Sequence, residues 1–311
     1  MTASEHAEKV PATTPETGCP VTVVIATRNR RDELESCLRQ LTQLPEQPPV
    51  IVVDNASSDG TAGWVGEAFP NVRVIQLERN LGAVARNVGV TAAETPYVAF
   101  SDDDSWWASG ALLRACELFD CNDRLGLLAA TTLVGARQRI DPLTVELMNT
   151  PLGGEGDLPG HRILGFMACA AVVRRGAFLA AGGFDRVVSF GAEESRLAFD
   201  LAAAGWGLCF VPEMVAYHCP TWRPRSAYRE RLRQIWRNEL LTCWMRRPLR
   251  LATRRTARLA WRARRDRMAR QALAGALVRL PAALYRRRRL PERVEADLRM
   301  LEAGGGGGGG C

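Results

Sequence analysis

Between residues 21 and 101, short β-branched apolar runs alternate with stretches of helical periodicity, and few folds accept that pattern. Residues 21–26 predict a first strand, stopped by the polar Thr27, Arg28 and Asn29. A helix is expected over 31–44, where Leu34, Leu38, Leu41 and Leu44 recur at intervals of three and four before Pro45. Residues 50–53 read as a second strand, closed by the turn-rich run 54–60 and followed by a helix carrying Trp64 and Phe69. A strand at 72–77, a helix at 82–93 and a strand at 97–101 continue the alternation. Such a chain forms a mostly parallel sheet with helices on both faces, and ligands bind beyond the carboxyl ends of its strands. Asp54, the stretch 80–87 and the run Asp102, Asp103, Asp104 all fall just past strands, so three distant loops are expected to meet at one cleft.

Further along, the Gly- and Pro-rich residues 151–160 predict a mobile loop. Strands are expected again at 165–173 and 207–211, with a helix at 192–204 between them. The apolar runs 125–136 and 164–173 are shorter than the roughly 18 residues a bilayer crossing needs, and read as buried strands. Residues 1–20 form a polar leader without a hydrophobic signal core, which points to the cytoplasm. Nine cysteines without a CxxC pair argue for free thiols. The expected organisation is the leader, a catalytic domain at 21–222, a basic helical extension at 223–302 and a Gly-rich flexible tail at 303–311 ending in Cys311.

The net charge of +7 is unevenly distributed: residues 223–302 hold 24 arginines against 7 acidic residues, so the rest of the chain is acidic. Lys9 is the only lysine. Guanidinium groups suit bidentate phosphate contacts, although codon usage explains their dominance as simply. In the first basic helix Tyr228, Leu232, Ile235, Trp236, Leu240, Cys243 and Trp244 mark an apolar face. Arginine interleaved with Trp236, Trp244 and Trp261 fits either phosphate-rich partner, an anionic membrane surface or nucleic acid, of which the membrane is the expected one, and a solvated helical face is the simpler alternative.

Three adjacent carboxylates at a strand end repel one another, and a divalent cation relieves this. Mg²⁺ or Mn²⁺ prefers oxygen ligands and bridges carboxylates to substrate phosphates. Asp104 is the first choice of ligand, and Asp102 either shares the metal or faces a ribose. Asp103 points to the other side of an extended segment. A helix cap, with Asp104 or Ser105 opening a helix near Trp106, accounts for the run without any metal.

The chain resembles the family 2 glycosyltransferases of GT-A fold, in the bacterial branch of rhamnosyl and other cell-surface-sugar transferases. The matching stretches are VTVVIATRNR at 21–30, VVDNASSDGT at 52–61, RNLGAVARNVGV at 79–90 and VAFSDDD at 98–104. AAGGFD at 180–185, GAEESRLAFDLAAAGW at 191–206 and VPEMVAYHCP at 211–220 follow in order. The resemblance implies a nucleotide-sugar donor, UDP- or dTDP-linked, and an acceptor that is a glycan, a lipid-linked sugar or a small molecule. It implies that Thr27 and Arg28 lie beside the nucleotide, that Asp54 reads the base, that Arg86 lies near base or diphosphate, and that Asp102 and Asp103 belong to the donor site. It places His218 as a third metal or diphosphate ligand beside Asp104 and Asp102. The catalytic base falls at Glu193 or Glu194, Glu194 being preferred; the pair stands where the family has Glu-Asp, and Arg196 where a further acid is common. Transfer by single displacement implies inversion at the anomeric carbon. A sugar nucleotidyltransferase is opposed by the absence of glycine from 27–31 and of a usable lysine, and a nicotinamide enzyme by the absence of GxGxxG. A non-catalytic membrane-surface or nucleic-acid binding protein is the alternative from another class.

Overall fold

The computed structural model describes residues 19–221 and 225–304. Most of the expected leader, and residues 305–311 of the expected tail with Cys311, lie outside the described residues, while 303 and 304 belong to the last helix. In chain order the elements are β1 Val21–Thr27, α1 Arg31–Thr42, β2 Val50–Asp54, α2 Thr61–Ala68, β3 Val72–Gln76, α3 Ala85–Ala92 and β4 Tyr97–Ser101. Then come β5 Ser105–Trp107, α4 Ala111–Asp120, β6 Leu125–Val134, β7 Arg139–Ile140, α5 Pro142–Met148, β8 His161–Arg162, β9 Ala171–Arg174, α6 Arg175–Ala180, α7 Glu193–Ala203 and β10 Gly207–His218. Four helices close the described chain: α8 Arg225–Arg246, α9 Leu249–Ala263, α10 Arg267–Tyr285 and α11 Glu292–Gly304.

One sheet in the order β3-β2-β1-β4-β9-β6-β10-β5 carries the structure, with β7 on β6 and β8 on β10. β3, β2, β1 and β4 are parallel. β9 runs antiparallel to both β4 and β6. β10 is parallel to β6, so β10 runs in the direction of β4 and its carboxyl end reaches the same sheet edge. Three helices cover one face, through Leu34, Leu38 and Leu41 of α1, Val65 of α2 and Leu112 and Phe119 of α4. The other face is covered through Val90 of α3, Phe178 of α6 and Leu197 and Leu201 of α7. Gly89 sets the approach of α3: a Cβ there would stand 2.4 Å from Val24 Cγ1 and 3.2 Å from Val53 Cγ2.

Several expectations are corrected. No helix opens near Trp106; Asp103 and Asp104 form a turn in which Ser105 Oγ accepts the Asp102 N–H and Ser105 N–H donates to the Asp102 carbonyl at 3.1 Å, and Ser105–Trp107 is β5, paired with β10. The strand expected at 165–173 shrinks to Ala171–Arg174 behind a 3₁₀ turn at Ala168–Ala170. The strand expected at 207–211 continues to His218, with a register shift between Val211 and Val215. The loop at 151–160 carries surface ion pairs from Arg124 to Glu155 and Asp157 and a bridge between Gly154 and His161, which neither bear out nor overturn its expected mobility. On α8, Tyr228 is exposed and Cys243 is buried, and Leu240, Leu241 and Met245 pack with Val187 and Val188 of the domain and with Ala276 and Ala283 of α10.

Candidate active site

The parallel strands deliver Thr27, Asp54 and Asp102 to one edge of the sheet, and the direction of β10 delivers His218 there too. The β5–β10 ladder begins by pairing Ser105 with His218, and the Cys219 N–H donates to the Asp104 carbonyl at 2.8 Å. That register draws His218 onto the acidic run. One ligand atom from each of Asp102, Asp104 and His218 lies within 4.8 Å of the others, a set able to hold one divalent cation. His218 Nε2 stands 3.3 Å from Asp104 Oδ1. Burial alone would lower the His218 pKa, but its contact with Asp104 and the charges of Asp104 and Asp102 bring the net shift upward.

Two arginines hold the carboxylates in place. Arg30 reaches Asp103 Oδ1 through Nε at 2.7 Å and Asp104 Oδ2 through Nη2 at 2.6 Å. Arg86, buried at 6% exposure, donates to Asp102 Oδ1 at 2.5 Å and stands 3.8 Å from Glu193. Asp103 turns away from the three-ligand cluster toward Thr27, whose Oγ1 donates to it at 2.9 Å. Burial and the neighbouring Asp104 and Asp102 outweigh Arg30 and Thr27 and push its pKa up to about 7.

The cleft above these residues has a volume of about 1000 Å³. Thr27, Arg28, Asn55, Arg86, the three aspartates, Glu193, Glu194 and His218 line it, so the three loops expected to converge do so. Asp54 lies beneath the surface at 0% exposure; its Oδ1 accepts from Ser57 N at 3.2 Å, and Oδ2 has no hydrogen-bond partner among the described residues. Trp107 belongs to the core, Trp106 packs on Tyr217, and Trp206 shields the position where a Cβ on Gly126 would stand. Gly82 is a backbone position: its φ is +61°, and a Cβ would meet the Ser189 carbonyl oxygen at 2.8 Å.

Glu193 and Glu194 open α7 directly after Ala192, a non-glycine residue at φ +61°. Backbone strain of this kind is sustained only where surroundings enforce it. Here Asn238 of α8, fully buried, donates through Nδ2 to the carbonyls of Phe190 at 2.7 Å and Gly191 at 2.6 Å. From the other side Asn87 of α3 exchanges hydrogen bonds with the backbone of Phe184, both at 2.9 Å. Glu193 is buried against Arg86, while Glu194 is half-buried and open to the cleft. Desolvation raises the pKa of both carboxyls, and each glutamate's acidic surroundings add to it. Arg196, which stands where an acid was expected, is internal: it donates to the Gly183 carbonyl at 2.8 Å and pairs with Asp200 at 2.6 Å.

The sequence reading missed Arg30 and Asn238. Arg30 closes the first polar stop, a signal that was present; Asn238 gave none, since nothing in a basic helix marks the asparagine that grips a distant loop.

The chain matches the model of glycosyl transferase family 2 over residues 22–180. It is 30% identical over 230 residues to the N-acetylglucosaminyl-diphospho-decaprenol L-rhamnosyltransferase of Mycobacterium tuberculosis, covering 63% of this chain and 75% of that one. It is also 30% identical over 210 residues to the pre-mycofactocin glycosyltransferase of the same organism, covering 64% of this chain and 42% of that one. Among solved structures, the fold is similar to the mannosyltransferase PcManGT of Pyrobaculum calidifontis in complex with GDP-Man and Mn²⁺, with a TM-score of 0.57 at 21% identity over 96% of this chain and 78% of that chain. The S. aureus TarS 1–349 complex with UDP-GlcNAc gives a TM-score of 0.56 at 18% identity, covering 71% and 66%.

Proposed function

Because the chain belongs to glycosyl transferase family 2 and is a glycosyltransferase, we propose that its cleft moves a sugar from a UDP- or dTDP-sugar to an acceptor hydroxyl, with inversion and with a divalent cation. The observation that carries this reading is the meeting of Asp102, Asp104 and His218 in the cleft that Glu194 also lines. These three residues would hold Mg²⁺ or Mn²⁺, which supplies charge stabilisation to a departing diphosphate. The donor set of two carboxylates and an imidazole suits Mn²⁺ in particular.

The chain's own groups do the remaining work. Arg30 and Arg86 neutralise the acids in the resting cleft, and both are placed to turn toward a diphosphate, for which a guanidinium fork is matched in geometry. Asp54 would accept the N3–H of a pyrimidine base, as the resemblance implies for uridine or thymidine donors; its Oδ2 lies beneath the cleft surface without a hydrogen-bond partner among the described residues, so base binding would have to uncover it. Thr27 and Arg28 border the nucleotide, with Asp103 fixing Thr27. Glu194 takes the proton of the acceptor hydroxyl; its raised pKa brings it closer to working pH and makes it a stronger base than an exposed glutamate. Glu193 positions Arg86. With Glu194 as base, a single displacement by the acceptor hydroxyl would invert the anomeric centre, the outcome the family resemblance implies.

The reading extends to cell-surface glycan or glycoconjugate synthesis, in the cytoplasm, with the arginine-rich extension set against an anionic membrane surface. Among the described residues no helix is long and apolar enough to cross a membrane. Thermal-shift measurements with uridine, thymidine and guanosine diphosphates, with and without Mn²⁺, test the donor site. Metal-dependent stabilisation by a pyrimidine diphosphate, abolished in Asp104→Ala, is the expected result; no stabilisation by any of them removes the reading.

A further inference from the structure

Helix α10 is built inside out for a surface helix in water. It buries the alanines Ala269, Ala272, Ala276 and Ala283, the last two against Leu240, Leu241 and Met245 of α8 and Val187 and Val188 of the domain. Four of its large apolar residues face outward instead, while Leu273 packs inward: Val278 is 79% exposed, Tyr285 92%, Leu277 52% and Leu284 44%. At about 100° per residue, Ala274, Leu277, Val278, Pro281, Leu284 and Tyr285 fall within one sector of about 120°. A continuous exposed apolar stripe over three turns marks an interaction surface rather than scattered surface hydrophobes.

Charge identifies what covers it. Arg267 and Arg270 lie on the same side one turn before the stripe, Arg288 and Arg289 follow its end, and all four are exposed without an acidic partner among the described residues. No Asp or Glu occurs between Arg267 and Pro291. A second copy docked on this stripe would bring arginines against arginines whether the helices ran parallel or antiparallel. An anionic lipid surface satisfies both features at once, taking the apolar side chains into its interfacial layer and the guanidinium groups among its headgroups.

We infer that the outward side of α10 is the element by which this protein sits on an anionic bilayer, with Leu277, Val278, Leu284 and Tyr285 inserted and Arg267, Arg270, Arg288 and Arg289 as the headgroup contacts. This deepens the membrane reading above and does not depend on the donor chemistry. Many other arginines of the extension are already engaged within the protein: Arg246 with Asp200, Arg247 with Glu295, and Arg286 with Asp185.

Co-sedimentation of the full chain with vesicles of equimolar phosphatidylglycerol and phosphatidylcholine, and with phosphatidylcholine alone, tests the inference. The wild type is expected to bind the anionic vesicles. Replacing Leu277, Val278, Leu284 and Tyr285 together by serine should weaken binding by about tenfold or more, and Arg288→Ala with Arg289→Ala by about fivefold per arginine. Both variants should retain the wild-type unfolding temperature and the Mn²⁺-dependent response to nucleoside diphosphate, since neither touches the cleft. Wild-type affinity in the serine variant, or no binding by the wild type, overturns the inference. So does a wild-type dimer that the serine variant converts to monomer without any change in vesicle binding. Loss of the nucleotide response with vesicle binding intact would instead remove the proposed donor site and leave this inference standing.

Discussion

Arg30 and Asp103 show how one residue pair settles the electrostatics of the cleft. Three successive acids would repel one another, yet Asp103 leaves the cluster to bind Thr27 and Arg30, and the remaining two face His218. Asp103 keeps a raised pKa, so the folded protein holds a proton there that the unfolded chain has released. The stability from this group is therefore complete below the unfolded carboxylate pKa and lost as pH rises through about 4 to about 7. Urea unfolding of the metal-free protein at the two ends of this window should show a decline of about 1–3 kcal/mol that Asp103→Asn removes. An unchanged decline in the variant would assign it elsewhere; His218, whose pKa is also raised, contributes with the same sign. Asp103 does turn away from Asp102 and Asp104, but in a turn at 103–104 rather than by the alternation expected of an extended segment, and its partner Arg30 was not expected, because a contact 73 positions away has no local signature.

At the scale of elements, the strands were legible wherever apolar runs ended in polar clusters, as at Val21–Thr27, Val50–Asp54 and Tyr97–Ser101. Legibility failed where pairing decided the outcome. Ser105–Trp107 carries a cap-like sequence but becomes a strand because β10 offers it an edge, and that pairing delivers His218 to Asp104. The helix bearing Glu193 was expected, while the device that holds its entry was not: Asn238 reaches from α8 to two carbonyls of the 190–191 loop. Asn238→Ala leaves both carbonyls without this donor, at a cost of about 1–3 kcal/mol. We expect turnover to fall more than nucleotide affinity, measured as kcat against Kd for the nucleoside diphosphate. Equal loss in both would mean that the loop serves the donor rather than the base.

At the scale of the whole molecule, the basic extension is joined to the sheet domain by ion pairs. Asp185 and Asp200 of the sheet domain meet Arg196 from within and Arg246 and Arg286 from the extension, all through buried or half-buried contacts. Arg246 also donates to the carbonyls of Met245 and Arg286. Breaking a buried pair leaves an uncompensated charge, so Arg246→Ala should cost about 3–5 kcal/mol in urea unfolding. Two separate transitions in the wild type would contradict this picture of one cooperative unit. The sequence showed the excess of arginine but not its division, because burial and pairing are properties of the assembled helices.

The release of nucleoside diphosphate from a panel of UDP-, dTDP- and GDP-sugars, followed with Mn²⁺ and then with excess chelator, tests the central claim most directly. Release from a pyrimidine nucleotide sugar should require the cation, fall by at least about 100-fold in Asp104→Ala, and fall similarly in Glu194→Gln while that variant still binds the nucleotide. Turnover that persists in the chelator, or a Glu194→Gln enzyme as active as the wild type, would contradict it.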